Sequence, residues 1–552
     1  MKSHITQLFA KMNLNLSLLA GLFLITGVLA LPILSVLWVF MTGQMSDEAH
    51  LWQTILPPYL QNTIVLMLLV SLIATAIGVS CAWIVASMDF PGRKLFSWLL
   101  ILPLASPAYI IAYIYTDFLD TTGPVQTGLR SLLSADIASF HFPEVRSIPG
   151  AAILLGLVLY PYIYVVTRTS FSVLARNQFQ AARSLGRGPW AAFFKVALPS
   201  ARLAIFAGLS LVLMETLADF GVADYFAIPT LSTGVFRTWL AMGDKVTALK
   251  IAGVMLLFAF ILIVLEKISR RGKLSNQDQS SNDSPLFKLN KFHSGCAIIV
   301  CSLPIMLGFA LPVGLLALNA ISYGDQQSLT ALIGYTWNSI SVALFVTLFA
   351  IGISLFLVYA NRSPSPNSTI KLATQTGIRI STIGYALPGT VLAVGLLMPI
   401  GPLDQFLTGT SRNLFGTSHG LLLTGSISVL VYALTVRFLT VSYNGILAGS
   451  EKITPSMDAA ARSLGASSFQ VFKRIHFPLL KPSIAASACL VFIDVIKELP
   501  ATLILRPFNF ETLATRVYRL ASDERLNEAS TAALLIVIVG LIPTLTFNRI
   551  QK

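Results

Sequence analysis

Stretches of about twenty apolar residues, separated by short polar turns, recur along the whole chain. A helix rises about 1.5 Å per residue, so one such stretch matches the roughly 30 Å hydrocarbon core of a bilayer. Inside that core a helix satisfies its own backbone hydrogen bonds, which few other structures can do. About twelve spans are expected, over 15–41, 60–87, 96–116, 149–170, 203–224, 247–266, 294–320, 337–360, 378–399, 419–440, 481–505 and 529–547. Charged residues make up 11% of the chain, against roughly a quarter in a soluble domain. The expected fold class is an all-α polytopic membrane protein.

The chain also repeats itself. Gln180-Ala-Ala-Arg-Ser-Leu-Gly186 returns as Ala459-Ala-Ala-Arg-Ser-Leu-Gly465, and Pro199 returns as Pro478 at the same spacing of 279 residues. Tyr59 and Asn62 open one span as Tyr335 and Asn338 open its counterpart. Between the copies, residues 269–292 turn polar and rich in Ser, Asn, Gln and Asp, a composition suited to a cytoplasmic linker. Six spans precede this linker and six follow, so both halves enter the membrane with the same orientation and form two parallel repeats. The expected division is an N-terminal anchor helix at 1–57, a first unit at 58–268, a peripheral helix at 293–334 and a second unit at 335–548. The first and seventh spans are less alike and read as additions to a core of five helices per half.

A net charge of +14 raises nucleic acid as a partner, but the basic residues gather in alternate loops, as at Arg93 and Lys94 or Lys473 and Arg474. That pattern sets membrane orientation, and no nucleic-acid partner is expected. Both termini and both repeated segments then fall in the cytoplasm, with Arg506, Arg516, Arg519 and Arg525 as exceptions on the outer side. The first apolar run is longer than a signal-peptide core and lacks a small-residue cleavage site, so it reads as a retained anchor. Cys81, Cys296, Cys301 and Cys489 lie in apolar segments without a C-x-x-C pair, which indicates neither a zinc site nor a disulfide framework.

The repeated segments, within 172–202 and 446–480, are too polar to span. Ala181, Ala182 and Leu185 suggest a narrow small-residue face, and Gly186 permits the positive φ that ends a helix. A second short helix is expected after each glycine, stopped by Pro199 or Pro478. This segment resembles the EAA loop of ATP-binding-cassette (ABC) importer permeases: Gln180-Ala181-Ala182-x3-Gly186-x9-Val196-x-Leu198-Pro199, then Ala459-Ala460-Ala461-x3-Gly465-x9-Ile475-x-Phe477-Pro478. The resemblance implies a type I ABC importer permease fold with both halves fused, each loop holding the helix that couples to an ATPase subunit. The family's glutamate is replaced by Gln180 and Ala459, and Asp458 lies one residue early, about 100° round the helix. No phosphate-binding G-x-x-x-x-G-K-[ST] occurs, so this chain is expected to be no enzyme and to bind no cofactor. ATP and Mg are implied for two separate ATPase subunits, and a periplasmic substrate-binding protein for the outer face. A bacterial inner membrane is the implied location.

Two acidic pairs lie inside spans at the same 279-residue offset: Glu215 and Asp219 match Asp494 and Glu498. A charge at mid-bilayer costs about 2.5–3.5 kcal/mol even on insertion scales, so four acids should face a wet path or partners. A cation path and structural pairing, with Lys497 or the matched arginines, both fit. The same offset joins Arg237 to Arg516 and Trp239 to Tyr518. The stretches around these pairs, Glu215 to Gly221 and Asp494 to Phe510, are similar to fused permeases for ferric iron. Permeases for thiamine, 2-aminoethylphosphonate and polyamine are related alternatives. A major-facilitator-type secondary transporter also has twelve spans in two parallel halves. Asp89-Phe-Pro-Gly92-Arg93-Lys94 loosely matches that family's basic loop with one residue fewer, and the stretch near Asn361 lacks it.

Overall fold

The computed structural model describes residues 2–44, 48–133, 142–173, 181–182, 184–270, 287–324, 329–362, 368–415 and 420–550. Nearly all of it is helix. The first half begins with α1 (Lys2–Thr42) and α2 (Leu56–Ser87). A broken passage follows, α3 (Arg93–Leu99) and α4 (Ala108–Leu119), then α5 (Pro124–Leu133) and α6 (Ile148–Val173). After the first repeated segment come α7 (Arg202–Ala218), α8 (Gly221–Tyr225), α9 (Leu231–Leu240) and α10 (Lys245–Arg270).

The second half retraces this order with α11 (Lys291–Ile305), α12 (Leu311–Ser322), α13 (Leu329–Arg362), α14 (Ser368–Ser381) and α15 (Gly389–Phe415). Then come α16 (Ser428–Glu451), α17 (Pro455–Ser463), α18 (Phe477–Ile496), α19 (Pro500–Leu505), α20 (Leu513–Ser522) and α21 (Leu526–Ile550). Among the described residues nine helices are long and apolar enough to cross a membrane, or eleven if each of two bent pairs is one span. The 89° bend between Ala105 and Ala108 falls in the expected third span, and the 61° bend at Ala201 just before the expected fifth. Every expected span therefore has a helical counterpart, though not always an unbroken one.

Within each half the long helices pack on matched partners, α2 along α6 and α13 along α16. Ala74, Ala82, Ala151 and Ala152 are fully buried in the first of these seams; small residues let helix backbones approach where lipid supplies no hydrophobic drive. In the second seam Ser354 and Ser442 share a hydrogen bond. The leading helices are exchanged between halves. α1 lies on α14 and α15 of the second half, with Thr26 hydrogen-bonded to Ser381 at 3.0 Å. α12 and the π-turn at Met306–Ala310 lie on α4 and α6 of the first, where Tyr115 donates to the Leu307 carbonyl at 2.6 Å. A short parallel ladder of β1 (Met88–Asp89) with β2 (Phe287–Lys288) ties the end of the linker to the turn after α2.

The repeat is closest where capping groups are duplicated. Thr230 and Thr233 form a capping box at the start of α9, as Thr512 and Thr515 do at α20. Asn62 donates to the Pro229 carbonyl and Asn338 to that of Glu511, at 3.1 and 2.9 Å. The hydroxyls of Thr63 and Ser339 accept the Leu231 and Leu513 amides. These matches set an offset of 282, not 279, beyond the acidic pairs. Three extra residues in the stretch 506–511 account for the change. Arg237 therefore corresponds to Arg519, and Arg516 to Gly234, correcting the pairing expected from a constant offset. The packing agrees: the Arg516 guanidinium lies over the Tyr335 ring, and a side chain at Gly234 would collide with the matched ring of Tyr59.

Candidate functional site

The four intramembrane acids meet in one place. Glu215, Asp219, Asp494 and Glu498 all line a single cavity of about 130 Å³ between the halves. The route to this arrangement differs from a shared helix face. α7 ends at Ala218 and α18 at Ile496, so the second acid of each pair sits in a break, just beyond its helix. Asp219 accepts the Ala223 amide at the start of α8 at 3.1 Å. Glu498 accepts the amides of Ala501 and Thr502 at the start of α19, both at 3.1 Å, and the Thr502 hydroxyl at 3.0 Å. A carboxylate on exposed helix-start amides is favourable, which explains why the breaks tolerate an acid.

The cations are unequally shared. Lys497 pairs with Asp494 at 2.8 Å, and Arg437 of α16 pairs with Glu498 at 3.0 Å. Both cations belong to the second half, and the first-half positions at the 279 offset from Lys497 and Glu498 are Ala218 and Asp219. Glu215 instead accepts the Tyr385 hydroxyl across the halves at 2.8 Å. Structural pairing thus describes the second half, while among the described residues the first-half acids face the cavity with hydrogen bonds and no ion pair. Sequence reasoning anticipated Lys497 and missed Arg437, Tyr385, Tyr109 and Tyr162, which also line the space. An arginine within an otherwise apolar span was the available signal for Arg437.

Beyond the cavity, α8 meets α20 across the halves. The Tyr518 hydroxyl donates to Asp224 at 2.8 Å, Arg237 pairs with the same carboxylate at 3.3 Å, and Phe220 packs on the Tyr518 ring. The matched arginines expected as partners of the acid pairs are engaged elsewhere, Arg237 with Asp224 and Arg516 over the Tyr335 ring. Arg506 and Arg519 both reach Glu511, and Arg525 reaches Glu528.

The two repeated segments form elbows. Gly186 and Gly465 have φ of +82° and +85°. In each, the amide after the glycine reaches back five residues, Arg187 to Ala182 and Ala466 to Ala461. This is the Schellman closure that satisfies orphan carbonyls at a helix end. The residue just before the glycine is thrown into solvent, Leu185 at 84% and Leu464 at 89% exposure. Ala181, Ala459 and Ala460 are exposed, Ala461 half-buried, and Ala182 turns inward against the core. Adjacent helix positions lie about 100° apart, so Ala181 and Ala182 do not share a face. Gln180 lies outside the described residues.

Pro199 lies one residue before its helical run ends at Ser200, where the chain bends by 61°. Pro478 does not stop a helix as expected: it stands inside one that runs from Phe469 to Ile496, just after the π-turn Phe472–His476. Matched aromatic pairs seat both elbows, Trp83 with Phe193 at 4.8 Å and Tyr359 with Phe472 at 5.3 Å between ring centroids. The second elbow adds a polar knot. Asp458 is buried, bonded to His476 at 2.7 Å and to Arg362 of α13 at 3.2 Å. Burial pushes its carboxyl up, but the hydrogen bonds and charges of His476 and Arg362 outweigh this and hold it below the usual carboxylate range. Its position one residue early in the motif thus serves an internal bond.

Residues 74–271 and 373–552 match the family model described as the binding-protein-dependent transport system inner membrane component. Over 89% of both chains, this chain is 24% identical to the Fe(3+)-transport system permease protein FbpB 2 of Haemophilus influenzae. It is 20% identical to the ferric transport system permease protein FbpB of Actinobacillus pleuropneumoniae, over 89% of this chain and 71% of that one. A molybdenum ABC transporter permease of Haloferax volcanii is 28% identical over 41% of this chain and 79% of its own. The family model therefore covers both repeats, and this chain belongs to the binding-protein-dependent inner membrane permeases, the multi-pass, non-catalytic membrane subunits of ABC importers.

Proposed function

We propose that this permease passes ferric iron through the cavity between its halves. Ferric iron is a hard cation that prefers oxygen ligands, and the observation carrying the reading is that both halves turn a carboxylate pair into one space. The relatives of comparable length are named as ferric permeases, which supports it. A passing site should hold its cargo loosely. The second-half acids are already neutralised by Lys497 and Arg437, which leaves Glu215 and Asp219 to meet the cation.

Force enters at the elbows. Two ATPase subunits seat on the faces carrying Ala181 and Leu185, and Ala459, Ala460 and Leu464. ATP draws these subunits together, the halves rock, and the Tyr518–Asp224 contact on the far side parts to admit cargo from a periplasmic binding protein. Both termini lie in the cytoplasm in this arrangement. ⁵⁵Fe uptake into proteoliposomes holding the permease, its ATPase and the iron-loaded binding protein tests the reading. Uptake that requires ATP supports it; uptake that follows a proton gradient without ATP, or no iron uptake by an importer that moves another cargo, overturns it.

A further inference from the structure

The same cavity has a second wall of opposite character. Ser106 lines it from the break before α4, Tyr109 from the first turn of α4, and Arg437 from α16. All three residues are deeply buried, with 1%, 5% and 9% exposure. The Ser106 and Tyr109 hydroxyls and the Arg437 Nε have no hydrogen-bond partner. An unsatisfied buried donor costs about 1–3 kcal/mol, more for a charged group, so three on residues that line one small cavity call for an acceptor. The Arg437 Nη1 is taken by Glu498, which leaves its Nε–H to an incoming group. α4 is twelve residues long and begins at Ala108, immediately beside these hydroxyls. Its first amides and the positive end of its dipole therefore meet the cavity, as in discontinuous membrane helices whose half-helix starts face anionic groups.

We infer that Ser106, Tyr109, Arg437 and the start of α4 form a subsite for a small oxyanion, facing the carboxylates of Glu215 and Asp219. This goes beyond the iron reading and does not require it. The anion is either the companion of a metal cation or a cargo in its own right, and the chemistry of recognition is the same.

The test uses the full chain in lipid nanodiscs with ³³P-labelled inorganic phosphate, and labelled sulfate and bicarbonate as parallel probes. Saturable binding of at least one anion is expected. Ser106→Ala with Tyr109→Phe should weaken it by about tenfold or more, as the loss of hydrogen bonds to a charged group implies, with an unchanged unfolding midpoint. Arg437→Lys keeps a positive charge for Glu498 but removes the Nε donor, and should weaken it too. Binding that needs ferric ion marks a companion anion. Binding that ferric ion does not affect marks an anion cargo, upholding the subsite while counting against the iron reading. No saturable binding of any probe, or binding that both variants leave intact, overturns the inference and leaves the donors to water.

Discussion

Replacing Gly186 and Gly465 with valine isolates the elbow from the rest of the fold. Both glycines sit at positive φ, and among the described residues no atom beyond the glycine and its chain neighbours lies within 4 Å of where a Cβ would stand. The substitution therefore meets no clash with neighbours, and its cost is local. A left-handed backbone costs an ordinary L-residue about 1–2 kcal/mol, and more when the side chain is β-branched. Relieving that strain by unwinding sacrifices the closing bonds, Gly465 to Arg462 at 3.0 Å and Ala466 to Ala461 at 3.1 Å, worth about 1 kcal/mol each. Either course removes about 2–3 kcal/mol from the docking-competent shape, so its population and the apparent affinity for an ATPase fall about 30- to 150-fold. Asparagine, which tolerates this conformation, should cost least, alanine more and valine most. The assay is ATP-dependent uptake in proteoliposomes alongside ATPase binding to the purified permease, with the unfolding midpoint as the control for folding. Normal coupling in the double valine variant, or equal loss with asparagine and valine, would refute the reasoning.

Removing one member of the Arg437–Glu498 pair leaves a buried charge unpaired, so Arg437→Met or Glu498→Gln should each destabilise by about 3–5 kcal/mol. The double variant should recover much of that in a thermal or denaturant melt. Asp219→Asn with Glu498→Gln is expected to slow uptake more than it weakens ATPase docking; failure of the protein to accumulate would instead favour a structural role for the acids. Asp458→Asn should loosen the second elbow alone, seen as faster proteolysis around 455–476 than around 181–199. In the parent protein Asp458's folded pKa is depressed, so its stabilising contribution is full above the unfolded value of about 3.9 and is lost as pH falls through the lower folded value. Protection of that elbow should accordingly persist at neutral pH and drain only in strong acid.

Much of the site was legible because membrane burial makes polarity expensive. Glu215, Asp219, Asp494 and Glu498 stood out as charges in oil, and their common offset tied them together before any geometry was known. Gly186 and Gly465 were readable because few other residues accept their backbone angles. Reasoning by constant offset failed at Arg516, because an insertion of three residues in a loop shifts register without disturbing either helix around it. Reading proline as a stop failed at Pro478, where the helix runs on through a π-turn to Ile496. Arg437 and Tyr385 escaped because their partners lie 61 and 170 residues away.

Hydropathy, periodicity and duplication are local properties of a chain, and they determined an all-helical membrane protein of two repeats with a matched polar segment in each half, while the resemblance carried by those segments implied a permease. Tertiary structure decided the rest. It exchanged the leading helices between halves, broke two helices so that their acids cap the next ones, and placed both cations on one side of a shared cavity. Such choices depend on which distant surfaces come together and on charges that must find partners once water is excluded, and no window of sequence contains that information.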